Sequence, residues 1–187
     1  MNTSAQQLLE SGVTAARRGD LDGARRIYRQ FLAEYPESPE GLFALGSLEL
    51  GAGQPGVARD CFERLAELQP ALAEAQIGIA RAHLAAGDRS AAEIHARRAL
   101  GMSPDAAVVR RECGRLLLSL GLYTEAADSL SKAAILVPED PVCRDSLGQA
   151  LLLSGDLPGA EQAFRDAIRL DPGTASPRFG LASLLLG

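Results

Sequence analysis

The chain has 187 residues, 47% of them apolar, enough to bury a substantial core, so a disordered tail is excluded. Its formal charge is −5 at pH 7, and the arginines are interspersed with Asp and Glu rather than gathered into a basic block. A surface that tracks phosphates is therefore not expected, and nucleic acid is set aside as a partner.

Taken from the N-terminus, the chain reads as one array of similar units. Residues 5–38 hold a helical run, a break at Gly19 and Asp20, and a second run through Ala24 and Tyr28 that stops before Pro36. In residues 39–72, Leu42, Leu45, Gly46 and Glu49 follow the i, i+3, i+4, i+7 spacing of one helical face; a turn over 51–56 precedes a second run through Leu68. Residues 73–106, 107–140 and 141–174 repeat the pattern without insertion or deletion. Three series fix the register at a step of 34: Pro36 to Pro172, Gly19 to Gly155 and Ala24 to Ala160. Residues 175–187 repeat only the first-helix register, with Arg178, Leu181, Ala182 and Leu185 aligned to Arg144, Leu147, Gly148 and Leu151. Its end, Leu184 to Leu186, would expose apolar surface if uncovered, which raises the expectation of a longer protein or of a homo-oligomer through this helix.

Each recurring residue has a local reason. Gly19 and its equivalents reach the left-handed conformation that ends a helix, and Asp20, Asp88 and Asp156 directly after them accept amide hydrogens of the next one. Pro55 and Pro158 suit a first turn, while the Pro36 series stops each second helix. Glycine inside a helix costs about 1 kcal/mol relative to Ala. Gly12, Gly46, Gly114 and Gly148, with Ala80 and Ala182 in the matching places, therefore mark a crossing too close for larger side chains, made by the second helix through the Ala24 series. Tyr28, Phe62, Leu130 and Phe164, one turn on, would fill the gap toward the following unit.

Gly46, Ala58, Phe62, Leu65 and Pro70, with their counterparts in the other units, resemble the tetratricopeptide repeat family over residues 5–174 as five units. The sequence departs from that pattern where Leu8, Leu42, Gln76, Arg110 and Arg144 replace the usual large aromatic, and where Ala15, Glu49, His83, Leu117 and Leu151 replace the usual Tyr. The resemblance implies an all-α fold, a right-handed α-solenoid of stacked antiparallel helix pairs. It also implies a groove, lined by the first helices, that binds a protein or extended peptide. The chaperone-binding carboxylate clamp of the family is not expected, since Leu9, Val13 and Ala44 hold its sites. The Asn ladder of the glycosyltransferase superhelix is not expected either, with Glu10, Ala44, Gly78, Glu112 and Ser146 in those places.

The stripe of each first helix that faces away from the packed one comprises Leu9, Val13, Phe43, Ser47, Ile77, Arg81, Arg111, Arg115, Val142, Asp145 and Gln149. Arg111 and Arg115 share a helix face, and Arg81 is projected from the adjacent unit. Two readings stand: the cluster holds an acidic or phosphorylated segment, or its members pair with local acids such as Glu74, Glu112 and Asp145. The Leu50, Leu84, Leu118, Leu152, Leu186 series reads as packing between units before a ligand strip. The ladder Arg110, Arg144, Arg178 reads as packed stems whose heads reach acids such as Glu139, Asp140 and Asp171.

Signals of chemistry are weak. GAGQPG at 51–56 fits the dinucleotide pattern G-x-G-x-x-G, but a helix precedes it where that motif needs a strand. His83 and Glu49 occupy equivalent sites and are expected to meet in a structural hydrogen bond; neither a catalytic nor a cofactor role follows, and no enzyme activity, metal or cofactor is expected. Cys61, Cys113 and Cys143 are odd in number with no CxxC spacing, so neither a disulfide framework nor a zinc site is indicated; Cys113 reads as a small core residue. The N-terminus lacks the layout of an export signal, and no apolar run approaches the roughly 20 residues of a membrane span. A cytoplasmic location without membrane insertion is expected, and the single Lys among many Arg hints at a GC-rich bacterial source. A larger bacterial enzyme, a glycosyl-, sulfo- or methyltransferase with this array as its docking arm, is the competing expectation.

Overall fold

The computed structural model describes residues 3–186, the side chains of Thr3, Leu185 and Leu186 excepted. Among the described residues the regular structure is entirely helical: α1 (Thr3–Arg17), α2 (Leu21–Glu34), α3 (Pro39–Gly51), α4 (Pro55–Leu68), α5 (Ala73–Ala85), α6 (Arg89–Met102), α7 (Ala107–Ser119), α8 (Tyr123–Leu136), α9 (Pro141–Ser154), α10 (Leu157–Leu170) and α11 (Ser176–Leu186). The chain forms two compact units, one up to Arg98 and one from Ala99, with the boundary inside α6. In the first, α1 packs on α2 and α3 on α4; in the second, α7 packs on α8, α9 on α10, and α11 on both α9 and α10.

The turns within the pairs follow from their backbone chemistry. Gly19, Gly53, Gly87, Gly121 and Gly155 all have φ between +72° and +93°, the left-handed region that side-chain-bearing residues enter at a cost. The N–H of the next residue then reaches back five residues, Asp20 to the Ala15 carbonyl (3.0 Å) and Asp156 to that of Leu151 (2.9 Å), satisfying carbonyls a helix end leaves open. The carboxylates of Asp20, Asp88 and Asp156 accept from the N–H groups of Gly23, Ala91 and Gly159 at 2.8, 3.0 and 3.0 Å, as the spacing predicts. Each second helix stops two residues before its proline.

Ala24, Ala58, Ala92, Ala126 and Ala160 are all fully buried. The small residues of the first helices are needed chiefly by the ring or Leu one turn beyond each alanine. A Cβ on Gly12 would come within 2.4 Å of Tyr28, and one on Gly114 within 2.6 Å of Leu130. Phe62 and Phe164 are clamped from two sides: Phe62 lies against Gly46 of its own pair and Gly78 of the next, and Phe164 lies against Gly148 and Gly180. The sequence predicts reach toward the following unit; the same ring also fills its own pair's notch. Ala182, at the matching position of α11, is exposed.

At two of the places where the sequence departs from the pattern it resembles, Glu49 and Gln76, buried polar partners take up the space. Glu49 is 1% exposed and receives Arg25 in a two-pronged ion pair, Nε to Oε1 at 2.8 Å and Nη2 to Oε2 at 3.0 Å, with Arg29 at 3.5 Å. Gln76, 4% exposed, meets His95 through Oε1 and Nδ1 at 2.8 Å. The expected meeting of Glu49 with His83 is thereby corrected. Their pairings differ because long Arg side chains from α2 reach the Glu49 carboxylate first, whereas His83 stacks on His95 (5.5 Å between centroids, 9° between planes) and sits 3.5 Å from Asp88.

Candidate partner-binding face

In the first unit the outward stripe of α1 and α3 carries Leu9, half-buried, Val13, 36% exposed, Phe43, 45% exposed, and Ser47, exposed. Phe43 is not a free ring: its edge rests on Phe62, centroids 5.9 Å apart at 74°, so one side faces outward while the other adds to the core. On α5, Arg81 is exposed, but Ile77 is 5% exposed and belongs to packing rather than to an offered surface.

In the second unit the charge pattern is more specific than the sequence implies. Arg111 donates to Asp140 Oδ2 at 2.6 Å and lies 3.2 Å from Glu112, so its charge is neutralised within the fold. Asp140 also caps α9 through the Cys143 N–H at 3.0 Å. Burial disfavours the charged carboxyl of Asp140, but the Arg111 hydrogen bond and the N–H groups of α9 outweigh it and hold the group below the usual carboxylate range. Arg115 is 52% exposed, with Glu112 4.0 Å away, and keeps an outward cation. Asp145 accepts from Gln149 (3.1 Å) and from the Ser176 hydroxyl (2.7 Å), tying α9 to α11. Gln149 also reaches Ser176 Oγ at 3.3 Å, so its amide is engaged at this seam. Beside it, Gln149, Leu153, Ser176 and Gly180 border a depression of about 350 Å³ floored by Phe164.

Three exposed apolar side chains stand on the same face: Val108, 52% exposed, Val142, 51% exposed and one 34-residue step beyond it, and Phe179, 74% exposed. Sequence reasoning misses Phe179, yet it stands one 34-residue step beyond Asp145 and two beyond Arg111. Extending the stripe into residues 175–187 finds it.

The arginine ladder differs in part from expectation. Arg144 Nη2 donates to the Ala134 carbonyl near the end of α8 at 3.4 Å rather than to Glu139, whereas Arg178 donates to the Pro172 carbonyl in the loop after α10 and also acts electrostatically on Asp171, as expected. The last carbonyls of a helix lack intrahelical partners and carry its negative pole, which draws a guanidinium as an acid would. Leu50 and Leu118 pack against their cores, in keeping with a packing role for that series; the Leu186 side chain lies outside the described residues, as does that of Leu185, whereas Leu184 is half-buried. GAGQPG spans the end of α3, a turn and the start of α4, with no strand before it. Burial pushes the Cys61, Cys113 and Cys143 thiols up to about 11, 12 and 11, which leaves them inert core residues at neutral pH.

Comparison with known proteins agrees with this architecture. The model of the tetratricopeptide repeat matches residues 9–73, 43–107, 77–141 and 146–186, and the chain belongs to this family. The cellulose synthase 2 operon protein C of Komagataeibacter xylinus is 35% identical over 60% of this chain, which spans 9% of that protein. A tetratricopeptide repeat and J domain-containing co-chaperone of Fusarium oxysporum is 24% identical over 94% of the chain, which spans 35% of its length. Among solved structures, the thermophilic repeat protein TTC0263 of Thermus thermophilus is 25% identical and superimposes with a TM-score of 0.80, covering 98% of this chain and all of the other. YrrB, described as having an unusual peptide-binding site, shares the fold at a TM-score of 0.64 and 14% identity, over 94% of this chain and 89% of its own. No helix among the described residues is long and apolar enough to cross a membrane.

Proposed function

We propose that this protein is a non-catalytic interaction scaffold of the cytoplasm whose first-helix faces recruit a protein or extended peptide. The observation that carries this reading is the contrast along the first helices. Their inner stripe is largely buried, while Val13, Phe43, Val142 and Phe179 on the outer stripe keep 36–74% of their surface open. Large apolar side chains left uncovered at repeating positions are the usual mark of a docking face. Support for an acidic partner rests on Arg115 in the second unit and Arg81 in the first, since Arg111 is already neutralised by Asp140 and Glu112.

Selection of peptides from a displayed library against the wild-type chain tests the proposal. Peptides that bind through these faces lose at least tenfold in affinity to Phe43→Asp in the first unit or to Arg115→Ala with Val142→Asp in the second. Equal affinity for wild type and both variants would remove the outer stripe from the binding face. A second reading has the array as the docking arm of a larger bacterial transferase; the part of it that relatives support is the larger protein, since this chain spans 9% and 35% of the length of two of them, while their names carry no transferase. The complete reading frame of the gene decides it.

A further inference from the structure

The loop between α2 and α3 borders an open depression of about 520 Å³ that the outer stripe does not explain. Its apolar wall is Phe31, Tyr35 and Pro39, with the two rings tilted at 35° and 5.1 Å apart; Phe31 is fully buried and Tyr35 half-buried. Its rim is Glu34, Glu37 and Glu40. From Gln30 to Ala58 the sequence contains no Lys, Arg or His. The one other acid in that stretch, Glu49, is neutralised by Arg25, whereas none of the three rim carboxylates has a cationic partner among the described residues. Corresponding loops lack the aromatic pair: Leu65 with Gln69, Ala133 with Val137 and Ala167 with Asp171 take the places of Phe31 with Tyr35.

We infer that this depression is a second docking site, distinct from the outer stripe, for an arginine-bearing segment of a protein partner. A planar guanidinium stacks on an aromatic face and bonds to carboxylates in its own plane, and here the Tyr35 ring and three carboxylates without a cationic partner among the described residues border one opening, Glu40 accepting only from the Ser38 hydroxyl at 2.8 Å and lying in the first turn of α3. The carboxylates supply attraction and orientation, while the apolar wall takes the methylene stem. The chain's overall charge of −5 adds a weak general pull on any cation, so the distinguishing feature is the aromatic wall.

The test uses the full chain, isotope-labelled, titrated at low salt with an acetylated and amidated tetra-arginine peptide. Amide shifts are expected to centre on residues 31–41. Tyr35→Leu is expected to weaken binding about three- to fivefold while Tyr35→Phe retains it, as stacking on the ring requires. Glu34→Gln with Glu37→Gln is expected to weaken binding about three- to tenfold. The comparison pair Asp60→Asn with Glu67→Gln on α4, which removes the same charge elsewhere, is expected to leave it unchanged. Equal losses from the two charge pairs, an indifferent Tyr35→Leu, or shifts spread over all acidic surfaces would each overturn the assignment. Unchanged helical circular dichroism of every variant establishes that loss of binding is not loss of fold.

Discussion

Replacing Gly148 by Ala sets two effects of opposite sign against each other. In an open helix the change favours folding by up to about 1 kcal/mol, because Gly surrenders more backbone freedom than Ala. Here the added Cβ would stand 2.6 Å from both Cδ1 and Cε1 of Phe164, and 3.0 Å from its Cγ. The ring is fully buried, and its far side is stopped by Gly180, where a Cβ would itself lie 2.4 Å from Cζ. Held between Gly148 and Gly180, Phe164 must shift toward the depression beside Gln149 and Ser176 or displace α9 or α11. Overpacking of this kind costs about 1–3 kcal/mol, and the double clamp places it toward the upper end, leaving a net destabilisation of about 1–2 kcal/mol. Gly101 in α6 has nothing within 4 Å of its would-be Cβ, so Gly101→Ala is expected to stabilise by about 0.5 kcal/mol. Thermal denaturation followed by helical circular dichroism reads the contrast as a midpoint several degrees lower for Gly148→Ala and slightly higher for Gly101→Ala. A rise of the Gly148→Ala midpoint matching that of Gly101→Ala would refute the clamp.

Three further outcomes are expected. Ala126→Leu, at a fully buried crossing, lowers stability by about 1–3 kcal/mol, and an unchanged melting temperature would count against the close approach of α7 and α8. Asp140 is held below its ordinary pKa, so its contribution is complete above the unfolded value and is lost as pH falls through the folded one. Asp140→Asn is therefore expected to be less stable than wild type near neutrality, the difference shrinking below about pH 4 in denaturant titrations at stepped pH. The buried thiols of Cys61, Cys113 and Cys143, raised to about 11, 12 and 11, stay silent to a disulfide reagent at about pH 8 until urea opens the fold; three rapid equivalents in native buffer would contradict their placement.

What could be read from the chain alone was whatever depends on neighbours a few residues apart. A glycine with φ near +80°, an Asp three residues before an open N–H and a proline two residues past a helix end act through their own backbone, so Gly19, Asp156 and Pro172 announce themselves. The 34-residue step extends those local rules to the whole family fold. The pairing of Arg111 with its neighbour Glu112 was legible, but longer polar partnerships did not follow, because they join groups 10 to 29 residues apart whose reach is set by packing: Glu49 took Arg25 rather than His83, Arg111 also took Asp140, and Arg144 took the Ala134 carbonyl. The outer stripe was legible as a register, yet which of its members stay open was decided in three dimensions. Ile77 is sealed and Phe179 is bare, although both hold the same place in their repeats. Sequence periodicity places a side chain on a face; only the neighbours that fold against that face determine whether water, a core or a partner covers it.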